Sequence, residues 1–319
     1  MLKVTRTGDG LAYLHIWREG EEYFQQQSAK FLTEWTNVMF VVVPQPPIEN
    51  IFYVDLSKQP LDFPDNTFDA VNTYHLLEHL TLQEGEQLVA EIFRVLKPGA
   101  IFRASVPDLE SICREYLHYL EVASKEPTVQ NIRRYRWNVM QILDQMVREK
   151  SGGMMLDAIR AGDYDQDYVD EKYSDVYRPF FKYRHERKRD APNFERRTLW
   201  QRVKTLTPLT FYEGLKWRIG AYVQRLVKSE QAALQHPRTT RETWRWMYDR
   251  LSLSLLMKKA GFVEVQQKDF KHSDIPHWGK YDLDCSNFAD RAIDPSVYIE
   301  GLKPEAAKSR ISRDRLRDE

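Results

Sequence analysis

Cysteine is nearly absent: Cys113 and Cys285 are the only two in 319 residues, far apart and in no C-x-x-C arrangement. That spacing excludes a disulfide framework and a multi-cysteine zinc site, and two free thiols fit a reducing, cytoplasmic location. Long hydrophobic runs are missing as well. No stretch approaches about 18 uninterrupted apolar residues, so no membrane-spanning helix is expected. The opening Met1-Leu2-Lys3-Val4-Thr5-Arg6 lacks the apolar run of a secretory leader, and none is expected. An excess of one charge is absent too. With 47 Lys and Arg against 47 Asp and Glu, a surface given over to nucleic acid is not expected. Core-forming material is plentiful: 42% of the residues are hydrophobic, with 15 Phe, 17 Tyr and 8 Trp, which rules out collagen-like and disordered classes. At roughly 100–200 residues per domain, the length allows two domains or one α/β domain with a large insertion.

The first 110 residues alternate strand and helix signals. Leu11–Trp17 reads as a strand, Val38–Val43 as a β-branched strand with a proline-rich exit, and Ile51–Val54 as a third strand closing on Asp55. Phe68–Asn72 and Ala100–Val106 are the fourth and fifth. Between them, Leu88, Ile92, Val95 and Leu96 recur at helical spacing over Leu82–Leu96, and Lys97-Pro98-Gly99 reads as the helix stop. This order predicts a parallel or mixed sheet with helices on its faces.

The pattern changes after Asp108. The chain becomes charged, aromatic and helical; Arg178–Lys204 reads as a basic solvated surface, and Thr210–Lys228 as an amphipathic packed helix. A weak peripheral membrane contact through the 210–228 helix is the minority alternative. Leu251–Lys259 then reads as a helix ended by Ala260-Gly261, with Phe262–Val265 and Val297–Gly301 as strands. The expected layout is an α/β core over 1–120, a helical insertion over 121–243, a returning helix and strands over 244–303, and a charged, disordered tail over 304–319.

The most informative stretch is Tyr53–Glu110. Asp55-Leu56 ends the third strand, Phe63-Pro64-Asp65-Asn66-Thr67-Phe68-Asp69 leads into the fourth, and His75-Leu76-Leu77-Glu78-His79-Leu80 follows it. Arg94-Val95-Leu96-Lys97-Pro98-Gly99 precedes the fifth. Ligands in open α/β sheets bind outside the carboxyl ends of the strands, so Asp55, Asn72–His79 and Pro107-Asp108 should line one rim. Together with Trp246–Leu253 and Ala260-Gly261-Phe262, these pieces resemble the class I S-adenosylmethionine-dependent methyltransferases of the type 11-like, bacterial predicted subgroup. The resemblance covers roughly 11–110 and 244–303.

That resemblance implies a Rossmann-like seven-stranded sheet with a reversed C-terminal strand, and S-adenosylmethionine as cofactor. It implies that Asp55 accepts from the adenine amino group with Leu56 beside the ring, and that Asn72, Thr73, Tyr74 and His75 flank the methionine part. Transfer then works mainly through alignment of nucleophile and methyl group, with His75 as the expected base and Glu78, His79 and Asp108 toward the acceptor. The acceptor class it implies is a small molecule or glycan.

The first strand departs from the family pattern. The loop after Leu14-His15-Ile16 reads Trp17-Arg18-Glu19-Gly20, leaving Gly20 as the single glycine to bring backbone close to the cofactor. Met39 stands where an acid should hold the ribose. A catalytically impaired methyltransferase-like scaffold or regulator is therefore the alternative. His75-Leu76-Leu77-Glu78-His79 also spells H-x-x-E-H, an inverted zinc-peptidase pattern that needs a continuous helix and a third ligand; the favoured reading gives it no metal and places Glu78 and His79 at a helix start. Asp108 reads equally as an acceptor-orienting acid or a helix cap. Asp249-Arg250 reads as a structural network, and His272, Asp274, His277 and Asp282 as a polar loop.

Overall fold

The computed structural model describes residues 2–18, 33–41, 51–56, 60–172, 242–281, 283–284 and 295–305. The expectations for Gly20, 178–204, 210–228, Asp282 and the tail beyond 305 lie outside these residues. In chain order the elements are β1 (Tyr13–Arg18), β2 (Thr36–Phe40), β3 (Ile51–Val54), β4 (Phe68–Tyr74), α1 (Leu82–Val95), β5 (Leu96–Pro107), α2 (Leu109–Lys125), α3 (Val129–Val147), α4 (Gly153–Ala161), α5 (Arg250–Ala260), β6 (Val263–Lys268) and β7 (Ser296–Leu302).

The strands form one seven-stranded sheet in the order β3-β2-β1-β4-β5-β7-β6. The first five run parallel. β7 is antiparallel to both β5 and β6, which gives the reversed C-terminal strand that the sequence resemblance implies.

Strand boundaries differ from the sequence reading where a uniform apolar run hides the register. β1 continues through Arg18, so Trp17 and Arg18 are strand residues. β2 lies two to three residues earlier than expected because it pairs Trp17 with Met39 and Arg18 with Phe40. Met39 is therefore inside β2, and Phe40 ends it. β5 starts at Leu96, directly after α1: Lys97-Pro98-Gly99 ends the helix by turning straight into strand, with Gly99 at φ 79°.

Local chemistry explains both core helices. Thr81 caps α1 in a capping box, its hydroxyl accepting from the Glu84 amide while the Glu84 carboxylate accepts from the Thr81 amide at 2.8 Å. Leu88, Val89, Ile92 and Val95 then bury one face. Asp249 caps α5, accepting from the Ser252 amide at 2.7 Å, and Gly261 ends it at φ 108°. Both helices join the larger core with Leu14, Ile16, Val38, Phe40, Phe102 and Ile299 from one face of the sheet.

The opposite face carries Tyr13, Trp17, Met39, Ala70 and Tyr74, packed with Trp35 and with Ile275, Trp278 and Tyr281 from the β6–β7 connection. That connection is pinned by Arg103, which is fully buried on β5. Its guanidinium donates to Asp284 at 2.6 Å, Glu300 at 2.8 Å and the carbonyls of Asp269 and His272 at 2.8 and 3.1 Å. The ring of Trp278 lies 4.6 Å from its central carbon. Helices α2 to α4 and residues 166–172 gather a separate core of Trp137, Met140, Met155, Ile159, Tyr164, Tyr168 and Val169.

Candidate active site at the carboxyl rim of the sheet

Five parallel strands end on one side, and three predicted side chains stand there: Asp55 after β3, His75 after β4 and Asp108 after β5. In the sheet order, β3 and β4 are three strand steps apart. At about 4.8 Å per step, that separates their ends by roughly 14 Å, enough for a nucleoside joined to an amino-acid chain. Asp55 and Leu56 are half-buried, and Leu56 packs on the main core.

Asn72, Thr73 and Tyr74 lie deeper. All three are buried within β4. The Asn72 side-chain amide donates to His15 Nδ1 at 3.0 Å. The Asn72 Oδ1 and Thr73 Oγ1 atoms are buried with no hydrogen-bond partner, although such atoms are normally satisfied.

His75 is the turning point. Its backbone takes the left-handed conformation at φ 41°, uncommon for a residue with a Cβ, and its amide donates to the Ser105 carbonyl at 3.0 Å. This ends β4 sharply and turns the ring against Tyr74, with centroids 4.7 Å apart. Nε2 meets Ser296 Oγ at 3.0 Å, and Nδ1 faces Glu78 Oε1 at 3.5 Å. Burial pulls the imidazole pKa down to about 4, so the ring is neutral at pH 7.

Glu78 and His79 do not begin a long helix. They sit in a 3-10 turn, Leu77–His79, ahead of the Thr81 cap, and both are buried. The turn lies under the returning chain: the Glu78 carbonyl accepts from the amides of Arg245 at 2.6 Å and Trp246 at 3.2 Å, and His79 Nδ1 meets the Thr243 carbonyl at 3.4 Å. With His75 left-handed and 77–79 in a 3-10 turn, the H-x-x-E-H spacing places no pair of histidines on one helix face. Among the described residues, no group of three His, Cys, Asp or Glu is placed to hold a metal ion.

Asp108 caps α2, accepting from the Glu110 amide at 3.1 Å. Burial raises its carboxyl pKa, and the neighbouring Glu110 and Asp249 charges add to the rise, against the amide bonds that lower it. The cap reading is thus realised at the rim itself. Asp249-Arg250 is structural: Asp249 caps α5, and Arg250 reaches Glu110 at 2.7 Å. Of the polar loop, His272 meets Asp269 at 2.7 Å and His277 meets Asp9 at 3.2 Å. Two residues were not foreseen, Ser296 beside His75 and the buried Arg103. A lone Arg inside the apolar strand Ile101-Phe102-Arg103-Ala104 was the available signal, since such a group is buried only when paired.

Residues 27–104 match the methyltransferase domain family, and the sheet order with its reversed last strand is the one that the sequence resemblance to class I S-adenosylmethionine-dependent methyltransferases implies. The matched segment starts after β1. Among curated relatives, the ubiquinone/menaquinone biosynthesis C-methyltransferase UbiE of Yersinia pestis (strain Pestoides F) is 33% identical over 117 residues, which is 35% of this chain and 46% of the relative. UbiE of Yersinia pseudotuberculosis serotype O:1b (strain IP 31758) gives the same figures. The chain thus spans about half the length of these relatives. A solved SAM-dependent methyltransferase from Archaeoglobus fulgidus is 10% identical over 92% of this chain and 87% of its own, with a TM-score of 0.39. A methyltransferase solved with the Trm112 activator of Haloferax volcanii is 11% identical over 94% and 85%, with a TM-score of 0.34. The strand order of this chain, not these superpositions, carries the fold assignment.

S-adenosylmethionine is the cofactor that this similarity implies, and the rim fits it in part. At β3, Asp55 supplies a carboxylate beside the apolar Leu56. At β4, buried Oδ1 and Oγ1 atoms lie behind His75 with hydrogen-bonding capacity unused. At the end of β2, the buried Phe40 and Val41 offer no acceptor side chain where the family pattern calls for an acid.

Proposed function

We propose that this chain transfers a methyl group from S-adenosylmethionine to a small-molecule or glycan acceptor. The observation that carries the reading is the placement of Asp55-Leu56 and His75 on one rim of a methyltransferase-type sheet. The bound cofactor would supply an electrophilic methyl group on sulfur. Asp55 would accept from the adenine amino group, Leu56 would cover the ring, and the Asn72–His75 strand end would border the methionine part, as would Gly20, which follows β1 in the sequence. Much of the rate would come from holding nucleophile and methyl group in line. Asp108, at the end of β5, and the Glu78–His79 turn border the side left for the acceptor. The relatives' printed role in ubiquinone and menaquinone biosynthesis adds a quinone precursor to the acceptors worth testing.

Calorimetric titration with S-adenosylmethionine, and with S-adenosylhomocysteine in parallel, tests the reading. Saturable heat for both is expected, and no heat at millimolar ligand overturns it. A second reading, a non-catalytic scaffold or regulator, is favoured by the apolar Phe40–Val41 end of β2, and the same null titration would support it. Contact of the 210–228 segment with membranes predicts salt-sensitive sedimentation with anionic vesicles; its absence at low salt refutes that contact.

A further inference from the structure

The side chain that meets His75 comes from the far end of the chain. Ser296 is the first residue of β7, and because β7 is antiparallel to β5 it pairs with Pro107, beside Asp108. It therefore stands on the carboxyl rim, half-buried, on the side left for the acceptor. Its hydroxyl lies 3.0 Å from His75 Nε2, and the opposite ring nitrogen faces the buried Glu78 carboxylate at 3.5 Å. With the ring proton on Nδ1, toward Glu78, Nε2 is the nitrogen that accepts the Ser296 O–H; the Nδ1–Glu78 separation is that of a charge contact, not of a hydrogen bond. The groups facing the imidazole are Glu78 from its own turn, Tyr74 from β4 and Ser296 from β7; His79 lies beyond Glu78 at 4.0 Å.

We propose that Ser296, His75 and Glu78 form a proton relay that selects an acceptor whose methyl-receiving atom is a hydroxyl oxygen. This rests on the methyl-transfer reading above. As the new O–CH3 bond forms, the methyl–sulfur bond breaks and its electron pair stays on sulfur. The acceptor's hydroxyl proton passes to Ser296 Oγ while the serine's own proton moves to His75 Nε2. The resulting imidazolium is held against Glu78 until solvent removes the proton. A neutral amine needs no such path, because it attacks with a free lone pair. A hydroxyl becomes strongly acidic only as its oxygen is methylated, and a neutral ring accepting through serine meets that timing. Ser296 and His75 handle the proton directly, whereas Glu78 is a positioning residue.

The test uses the full chain with 15N-labelled histidine, the His75 signals being assigned from the His75→Gln spectrum. At pH 7.5, Nδ1 should be protonated and Nε2 bare. Ser296→Ala should shift the Nε2 resonance, Ser296→Thr should restore it, and Glu78→Gln should move Nδ1. A protonated Nε2, or His75 resonances unmoved by Ser296→Ala, overturns the relay. In parallel, S-adenosylhomocysteine release is measured with panels of phenols, sugar alcohols, amines and thiols. Hydroxyl compounds should turn over, with Ser296→Ala lowering kcat about 10²-fold at little change in KM and Ser296→Thr recovering it. Turnover confined to amines or thiols, or none for any hydroxyl compound, overturns the acceptor class. If S-adenosylmethionine does not bind, the methyl-transfer reading fails by calorimetry, while the nitrogen resonances still decide the relay.

Discussion

Replacing Arg103 with Met tests what holds the second face of the sheet. The guanidinium is fully buried and satisfies two carboxylates, Asp284 at 2.6 Å and Glu300 at 2.8 Å, besides two carbonyls. Removing it leaves two buried acids facing each other without a cation, and the loss of one partner from a buried ion pair costs about 3–5 kcal/mol. Rings of Trp278 and Tyr298, at 4.6 and 5.1 Å, lose a cation as well, adding on the order of 1 kcal/mol. Glu300 also accepts from the Asp274 amide at 2.9 Å and from the Ser273 hydroxyl, so the damage should spread along the β6–β7 connection. Urea unfolding should show a loss of about 4–6 kcal/mol, and hydrogen exchange should show lost protection from 272 to 281. A triple variant with Arg103→Met, Asp284→Asn and Glu300→Gln should recover much of that loss, because the penalty lies in unpaired charge more than in missing contacts. A cost below about 1 kcal/mol for Arg103→Met alone would refute the reasoning.

Three further outcomes follow from the same geometry. His75 is held neutral by burial, with its pKa drawn from 6.5 to about 4. The unfolded chain therefore binds the extra proton first, and stability should fall as pH drops from about 6.5 to 4, by up to about 3 kcal/mol; His75→Gln should flatten that slope in urea titrations across the window. Gly85→Ala in α1 would bring a Cβ within 2.7 Å of the buried Tyr248 hydroxyl, itself without a hydrogen-bond partner; overpacking of about 1–3 kcal/mol should outweigh the helix-propensity gain of about 1 kcal/mol, and adding Tyr248→Phe should restore stability in a double-mutant cycle. Asp55→Ala should weaken S-adenosylmethionine binding about tenfold or more by calorimetry with unchanged thermal stability, as expected for the loss of a charged hydrogen bond of about 1.5–3 kcal/mol, and an unchanged Kd removes Asp55 from the site.

What the sequence revealed was local. The Lys97-Pro98-Gly99 and Ala260-Gly261 stops lie within a few residues of the helices they bound, and alternating strands and helices foretold the sheet. Register was harder. The run Val38–Val43 carries no polar residue to mark a face, and pairing with β1 moved the strand back to Thr36. Hidden altogether were contacts between distant segments: Arg103 meets Asp284 across 181 residues, and His75 meets Ser296 across 221. The expectation that Glu78 and His79 open a helix failed for a related reason. Their turn is shaped by Thr243–Trp246, far down the chain, as well as by their own propensities.

The same long-range contacts tie the acceptor side of the rim to the helices that leave from it. The chain departs into α2 at Asp108 and returns at Tyr248, and the two meet in a parallel bridge, with the Leu109 amide donating to the Tyr248 carbonyl at 2.9 Å. The Asp108 amide donates to the Pro295 carbonyl at 2.8 Å, one residue before Ser296. Across the junction, the Glu78 main chain holds the amides of Arg245 and Trp246, while its side chain faces His75. Glu78 thus has separable contacts: its carbonyl fastens the returning segment, and its carboxyl group faces the imidazole. Glu78→Gln keeps the backbone contacts and removes only the charge. It should leave the 243–248 amides protected from exchange while moving the Nδ1 resonance of His75, and loss of both together would mean that the carboxylate supports the junction instead of the ring.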